Sequence, residues 1–167
     1  MNAVIFDIDG TLADITHRVL HIQKFPKDWD AFYEAMDNDK PIDSVCHLCT
    51  IYASISKMPR FNPVQLFFVT GRPEKYRKMT IKWLKETIPE LCEEDIVNDE
   101  QFAQSNCELI MRKDGDHRQD YVVKKEVLEK IQSRGYQILF AVEDRKQCVD
   151  MYRKQGITCL QCAEGNF

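Results

Sequence analysis

A chain of 167 residues that is 44% apolar holds one domain, residues 1–167, with a sizeable core, and is too short for a second full one. Its formal net charge of -4 argues against nonspecific coating of nucleic acid, which a cationic surface drives, while leaving room for a local basic cleft. Apolar strand residues begin at once and no stretch approaches the roughly 18 apolar residues of a bilayer span, which predicts a soluble cytoplasmic protein without membrane association.

The first predicted element is residues 2 to 6, NAVIF, a short apolar run suited to a strand buried on both faces. It runs into DIDGT, residues 7 to 11, which sets two carboxylates one residue apart. Such a pair repels, and burial raises the cost, so it needs a cation, a shared proton or a catalytic reason. Magnesium answers the first need, since it takes oxygen ligands from one or two carboxylates, waters and a substrate phosphate. Gly10 would permit the sharp turn that brings Asp7 and Asp9 toward one site.

About sixty positions separate Asp9 from Thr70, more than one crossover helix requires, so residues 13 to 43 are expected to form a small helical lid inserted after the first strand. Trp29 and Phe32 are read as lid core in preference to base stacking, and His17 and His21 as lid surface. Val45, Leu48, Cys49, Tyr52 and Ile55 recur at steps of three and four, which predicts a helix over 44–56. A strand follows over 64–69, VQLFFV, ending in Thr70, and then a helix over 75–88 with Tyr76, Met79, Trp83 and Leu84 on its stripe.

Residues 90 to 100, ELCEEDIVNDE, hold six acids and no base and read as a solvated connection. A weaker strand at 106–111 precedes a helix over 121–134, where Lys124 is preferred to Lys125 as the functional lysine. QILFAV, 137–142, is a third strong strand and ends in Glu143 and Asp144; a helix over 145–155 stops before Gly156, and a weaker strand occupies 157–161. The seven cysteines are scattered through these segments and expected to be free thiols, with buried thiols preferred to zinc at the pairs Cys46/Cys49 and Cys159/Cys162. Alternating strand and helix predicts an α/β, Rossmann-like doubly wound parallel sheet whose ligands lie beyond the carboxyl ends of the strands.

The strand-end motifs resemble those of the haloacid dehalogenase superfamily of phosphohydrolases. DIDGT (7–11) looks like the first motif, FVTGR (68–72) the second, Lys124 the third and AVEDR (141–145) the fourth, in the family's order. The resemblance implies Asp7 as nucleophile and Asp9 as acid and base, the latter needing a raised pKa. It implies Thr70 and Lys124 on the phosphoryl oxygens, magnesium held by Asp7, Asp144 and the Asp9 carbonyl, and Glu143 acting through a metal-bound water or by anchoring Lys124.

A closer resemblance joins GDHRQDYVVKKEVL (115–128) and the run from Glu143 onward to the 3′-phosphatase domain of bacteriophage polynucleotide kinase-phosphatases, although Glu143 replaces an aspartate there. It implies substrate contacts from Arg18, Thr70, Gly71, Arg72, Arg118 and Lys124. The expected activity is magnesium-dependent removal of 3′-phosphates from DNA or RNA ends or from 3′-nucleotides, through a phosphoaspartyl intermediate. The alternatives are a small-molecule phosphatase such as a 5′-nucleotidase and, from another class, a non-catalytic module that binds phosphate ends. No G-x-x-x-x-G-K-[ST] loop occurs in the sequence, so the expected protein is a free-standing phosphatase or the partner of a separate kinase or ligase.

Overall fold

A computed structural model describes residues 1–56, 58, 62–91 and 106–165. The chain forms β1 (Asn2–Phe6), β2 (Ala13–Asp14), α1 (Leu20–Gln23), α2 (Trp29–Glu34), β3 (Lys40–Pro41), α3 (Asp43–Ser56), β4 (Val64–Pro73) and α4 (Arg77–Thr87). It continues through β5 (Cys107–Arg112), α5 (Asp120–Ser133), β6 (Gln137–Glu143), α6 (Lys146–Lys154) and β7 (Cys159–Gln161). Most of the acidic stretch 90–100 lies outside the described residues.

Five strands pair in parallel in the order β5-β4-β1-β6-β7, the doubly wound arrangement, with the order reversing at β1. The three strong apolar runs are the three central strands, because only a strand covered on both faces needs to be apolar throughout. The two weaker ones are the edges, and β5 alternates buried and half-buried positions along its length. α3 and α4 cover one face of the sheet with a core around Phe6, Phe68, Cys49 and Leu84; α5 and α6 cover the other around Phe67, Leu128, Val149 and Tyr152. α6 ends as its sequence suggests: Gly156 takes φ +77°, and the N–H of Ile157 reaches back to the Tyr152 carbonyl at 3.0 Å.

β2 and β3 form a two-residue antiparallel ladder, Ala13 opposite Pro41 and Asp14 opposite Lys40, which closes the neck of a helical insertion. The insertion has its own small core of Ile15, Ile22 and Phe32, with Val19 and Tyr33 packed against it. Phe32 is the core residue expected, but Trp29 is not: it is 42% exposed, because the cluster beneath it closes on Phe32 and the indole lies over Tyr33 instead.

Candidate active site

The carboxyl ends of β1, β4 and β6 converge on one buried polar cluster. Asp7 follows β1 directly, and its backbone N–H still donates to the Val142 carbonyl of β6 at 3.0 Å, so the sheet itself fixes its position. The chain then turns tightly, the N–H groups of Leu12 and Ala13 both returning to the Ile8 carbonyl. Gly10 sits in that turn at φ +87°, where a Cβ would lie 2.4 Å from an Asp144 carboxylate oxygen. Glycine is needed twice over, for the turn and for the close approach of Asp144.

Asp7, Glu143 and Asp144 are all buried, and one carboxylate oxygen from each lies within 4.8 Å of the others. Lys124, itself buried on α5, donates from Nζ to Asp7 Oδ1 at 2.6 Å and to Glu143 Oε2 at 2.7 Å, and lies 3.2 Å from Asp120 Oδ2 one helical turn before it. Its neighbour Lys125 instead pairs with Glu129 on the surface. Burial, with the charge of Glu143, pushes the Asp7 carboxyl up to about 8 against the pull of Lys124. Burial likewise pushes Glu143 up to about 7 and Asp144, which also faces Asp7, up to about 6.

Asp7, Glu143 and Asp144 share the one ammonium of Lys124, which Asp120 also draws on, and this leaves the three clustered carboxylates short of positive charge. A hard divalent cation with all-oxygen ligands supplies what is lacking, so the donor set fits magnesium. Asp144 Oδ1 is steadied by the Thr11 hydroxyl at 3.3 Å. Glu143 has Oε2 on Lys124 and Oε1 on the backbone N–H of Arg145 at 3.2 Å, as a residue that anchors the lysine would.

The second half of the site is built around Asp9. Its Oδ1 accepts from Arg18 Nη2 at 2.6 Å and from Arg72 Nη2 and Nε at 2.6 and 2.9 Å. The same two guanidinium groups, both fully buried, hold Asp39, at 2.6 Å from Arg18 Nη2 and 2.9 Å from Arg72 Nη2. Burial alone would raise the Asp9 pKa, but the charges of Arg72 and Arg18 outweigh it and hold the carboxyl well below the usual range. This is opposite to the raised value expected from sequence, which had no way to place two arginines on one oxygen.

Thr70 and Gly71 lie where β4 meets the site. The Thr70 hydroxyl, buried, accepts from the Arg72 N–H at 3.2 Å, and the Gly71 carbonyl accepts from Arg112 Nε at 3.1 Å and from the Tyr33 hydroxyl at 3.4 Å. Arg118 does not join the buried cluster. Its side chain is half exposed and pairs with Asp116 at 2.7 Å and Glu126 at 2.6 Å, on the wall of the cavity over Asp7 and Asp9. The arginine closer in is Arg112, at the end of β5, which grips Asp120 at 2.8 Å and so supports Lys124. Arg112, Asp120 and Asp39 went unread in the sequence; the first ends a strand and the second stands four residues before Lys124, both usable signals.

The cavity encloses about 520 Å³, with Asp7 and Asp9 in its lining, the insertion contributing Lys27, Trp29 and Tyr33, and the loop after β5 the facing wall. Among the described residues no helix is long and apolar enough to cross a membrane.

The family model described as the polynucleotide kinase PNKP phosphatase domain matches residues 1–167. A chain in the structure of the Pnkp1/Rnl/Hen1 RNA repair complex is similar over 99% of this chain, with 27% identity and a TM-score of 0.69. A second structure of a Pnkp1/Rnl/Hen1 complex gives 27% identity and 0.68, again over 99% of this chain. This chain spans 43% and 47% of the two, less than half of either. The class C acid phosphatase from Bacillus anthracis, solved with tungstate bound, is similar over 99% of this chain and 68% of its own length at 14% identity and a TM-score of 0.62, a likeness of fold.

Proposed function

Because the chain belongs to the family of polynucleotide kinase PNKP phosphatase domains, built on the haloacid dehalogenase fold, we propose that it is a magnesium-dependent phosphatase that clears 3′-phosphates from polynucleotide ends. The observation that carries this reading is the buried meeting of Asp7, Glu143 and Asp144 within 4.8 Å, with Lys124 Nζ 2.6 Å from Asp7. Asp7 and Asp144, with the carbonyl of Asp9, would hold the magnesium. Bound there, the ion would offset the charges of carboxylate and phosphate so that two anions can meet.

Asp7 attacks phosphorus, the bond from phosphorus to the 3′ oxygen breaks, and the electron pair leaves on that oxygen, which takes a proton from Asp9. Water then attacks the phosphoaspartate, giving its proton to Asp9 and releasing inorganic phosphate, so that both carboxyls return to their starting state. Lys124 and the Thr70 hydroxyl steady the phosphoryl oxygens, where charge gathers. Asp9 must hold a proton that Arg18 and Arg72 keep off it in the free protein. A phosphate drawing on those same guanidinium donors raises Asp9's affinity for the proton when the acid is needed. Arg118 on the cavity wall serves the flanking strand, and the helical insertion serves as a lid that limits which ends enter.

A relative 27% identical occurs in an RNA repair complex, which supports RNA ends among the substrates and a companion kinase or ligase. Six described cysteines are free thiols, in keeping with the cytoplasm. The test is phosphate release, with magnesium, from matched 3′- and 5′-phosphorylated DNA and RNA oligonucleotides and from mononucleotides. The reading predicts release from 3′ ends ahead of all others. Preference for 5′-mononucleotides would make the chain a small-molecule phosphatase, and tight binding of 3′ ends without turnover a non-catalytic module; either rejects the reading.

A further inference from the structure

The insertion carries a feature that phosphate chemistry does not use. Trp29 opens α2 with 42% of its surface exposed, yet it lines the same cavity as Asp7 and Asp9. Its ring is stacked on Tyr33, centroids 6.0 Å apart and planes 24° from parallel, and meets Phe32 edge-on at 5.8 Å. Phe32 is buried, and the Tyr33 hydroxyl reaches the Gly71 carbonyl between Thr70 and Arg72. The chain of contacts therefore runs from the phosphate-binding residues through Tyr33 to Trp29, one ring further out.

The indole packs against two aromatic neighbours and keeps part of its surface open to the cavity. Lys27 stands with Nζ 5.4 Å from the indole centroid, and Lys75 lines the cavity beside it, tied to Asp30 at 2.8 Å. A flat apolar ring flanked by ammonium groups is the combination that receives a base with its backbone phosphate.

We propose that Trp29 is a stacking platform for the base of the 3′-terminal nucleotide while its phosphate lies at Asp7, so that the enzyme requires a nucleoside as well as a phosphomonoester. The proposal rests on the 3′-phosphatase reading above and gives that site its means of telling a nucleotide end from a plain phosphate ester. Stacking tolerates every base, so it implies little preference among the four.

Two readouts test it. In the first, wild type, Trp29→Ala and Trp29→Phe act on a 3′-phosphorylated oligonucleotide and on the same strand whose terminal residue lacks its base. Trp29→Ala should raise KM for the ordinary end about tenfold to a hundredfold, leave the abasic end within about twofold, and be largely rescued in Trp29→Phe. Equal effects on both ends, or none on either, overturn the platform. In the second, intrinsic fluorescence is followed in the Asp7→Asn background. The other tryptophan, Trp83, is buried with its Nε1 on the Asp39 carbonyl, so a base stacking on Trp29 should quench emission where an abasic end does not. The difference should vanish in Trp29→Phe; if it persists, or is absent at the start, Trp29 is not the platform. Failure of wild type to release phosphate from either 3′ end overturns the underlying activity instead, a result separable from both.

Discussion

Substituting Asp144→Asn should stabilise the metal-free protein and remove the stabilisation that magnesium gives wild type. Asp144 is 1% exposed, and burial followed by the nearby charge of Asp7 lifts its pKa from 3.8 to about 6. A carboxyl raised in the fold binds its proton more tightly there than in the unfolded chain, so the ionised form opposes folding. That cost is absent below about pH 4, grows as pH rises toward 6 and is complete above it, where it reaches about 3 kcal/mol. Asparagine keeps the shape and an acceptor for Thr11 without the charge, so the metal-free variant should melt several degrees above wild type at pH 8 and no higher at pH 4. Magnesium at a hundred times its Kd should stabilise wild type by about 2.7 kcal/mol, or roughly 5–10 °C for a domain of this size, and leave the variant unmoved. Thermal melts of both proteins at both pH values, with chelator and with magnesium, give the difference in Tm under each of the four conditions. A variant less stable than wild type without metal at pH 8, or one that keeps the full magnesium shift, would refute the argument that this cluster awaits a cation.

The other interactions give equally definite expectations. Lys124→Met removes the ammonium that pairs with Asp7 and Glu143 and should cost about 3–5 kcal/mol in urea unfolding of the metal-free protein; a loss below about 1 would show that the pairs carry little. Arg118→Ala, half exposed, should lower kcat/KM by less than about tenfold, whereas Arg72→Ala should lower it at least about a hundredfold, and the reverse order would return Arg118 to the centre of the site. Gly10→Ala puts a Cβ 2.4 Å from an Asp144 oxygen at a left-handed φ, so the magnesium concentration for half activity should rise about tenfold or more; an unchanged midpoint would show that Asp144 can move away freely.

The sheet was legible in the residues because its three central strands must be apolar on both faces, and such runs stand out wherever they occur. β7 proved shorter than its apolar run, 159–161 against 157–161, since a short edge strand pairs on one side only. Asp7 and Asp144 could be read from their positions just past the ends of strands, and Lys124 from its place near the start of a helix. Asp39 could not, for it follows a short 3-10 helix and gains its meaning from Arg18 and Arg72, far along the chain. Arg112 is hard to read because the apolar run of β5 ends one residue before it, whereas Arg118 is expected from the resemblance alone and lies on the cavity wall. Trp29 was assigned to the core on hydrophobicity, which cannot tell an aromatic that fills a lid from one that faces a cavity.

The most direct test of the chemistry is rapid acid quenching of protein mixed with magnesium and an oligonucleotide radiolabelled in its 3′-phosphate. Wild type should carry label transiently as an acyl phosphate that peptide mapping places on Asp7, and Asp7→Asn should neither become labelled nor release phosphate. Full phosphate release by the Asp7→Asn protein, or turnover by wild type with no labelled protein at any time point, would contradict the account.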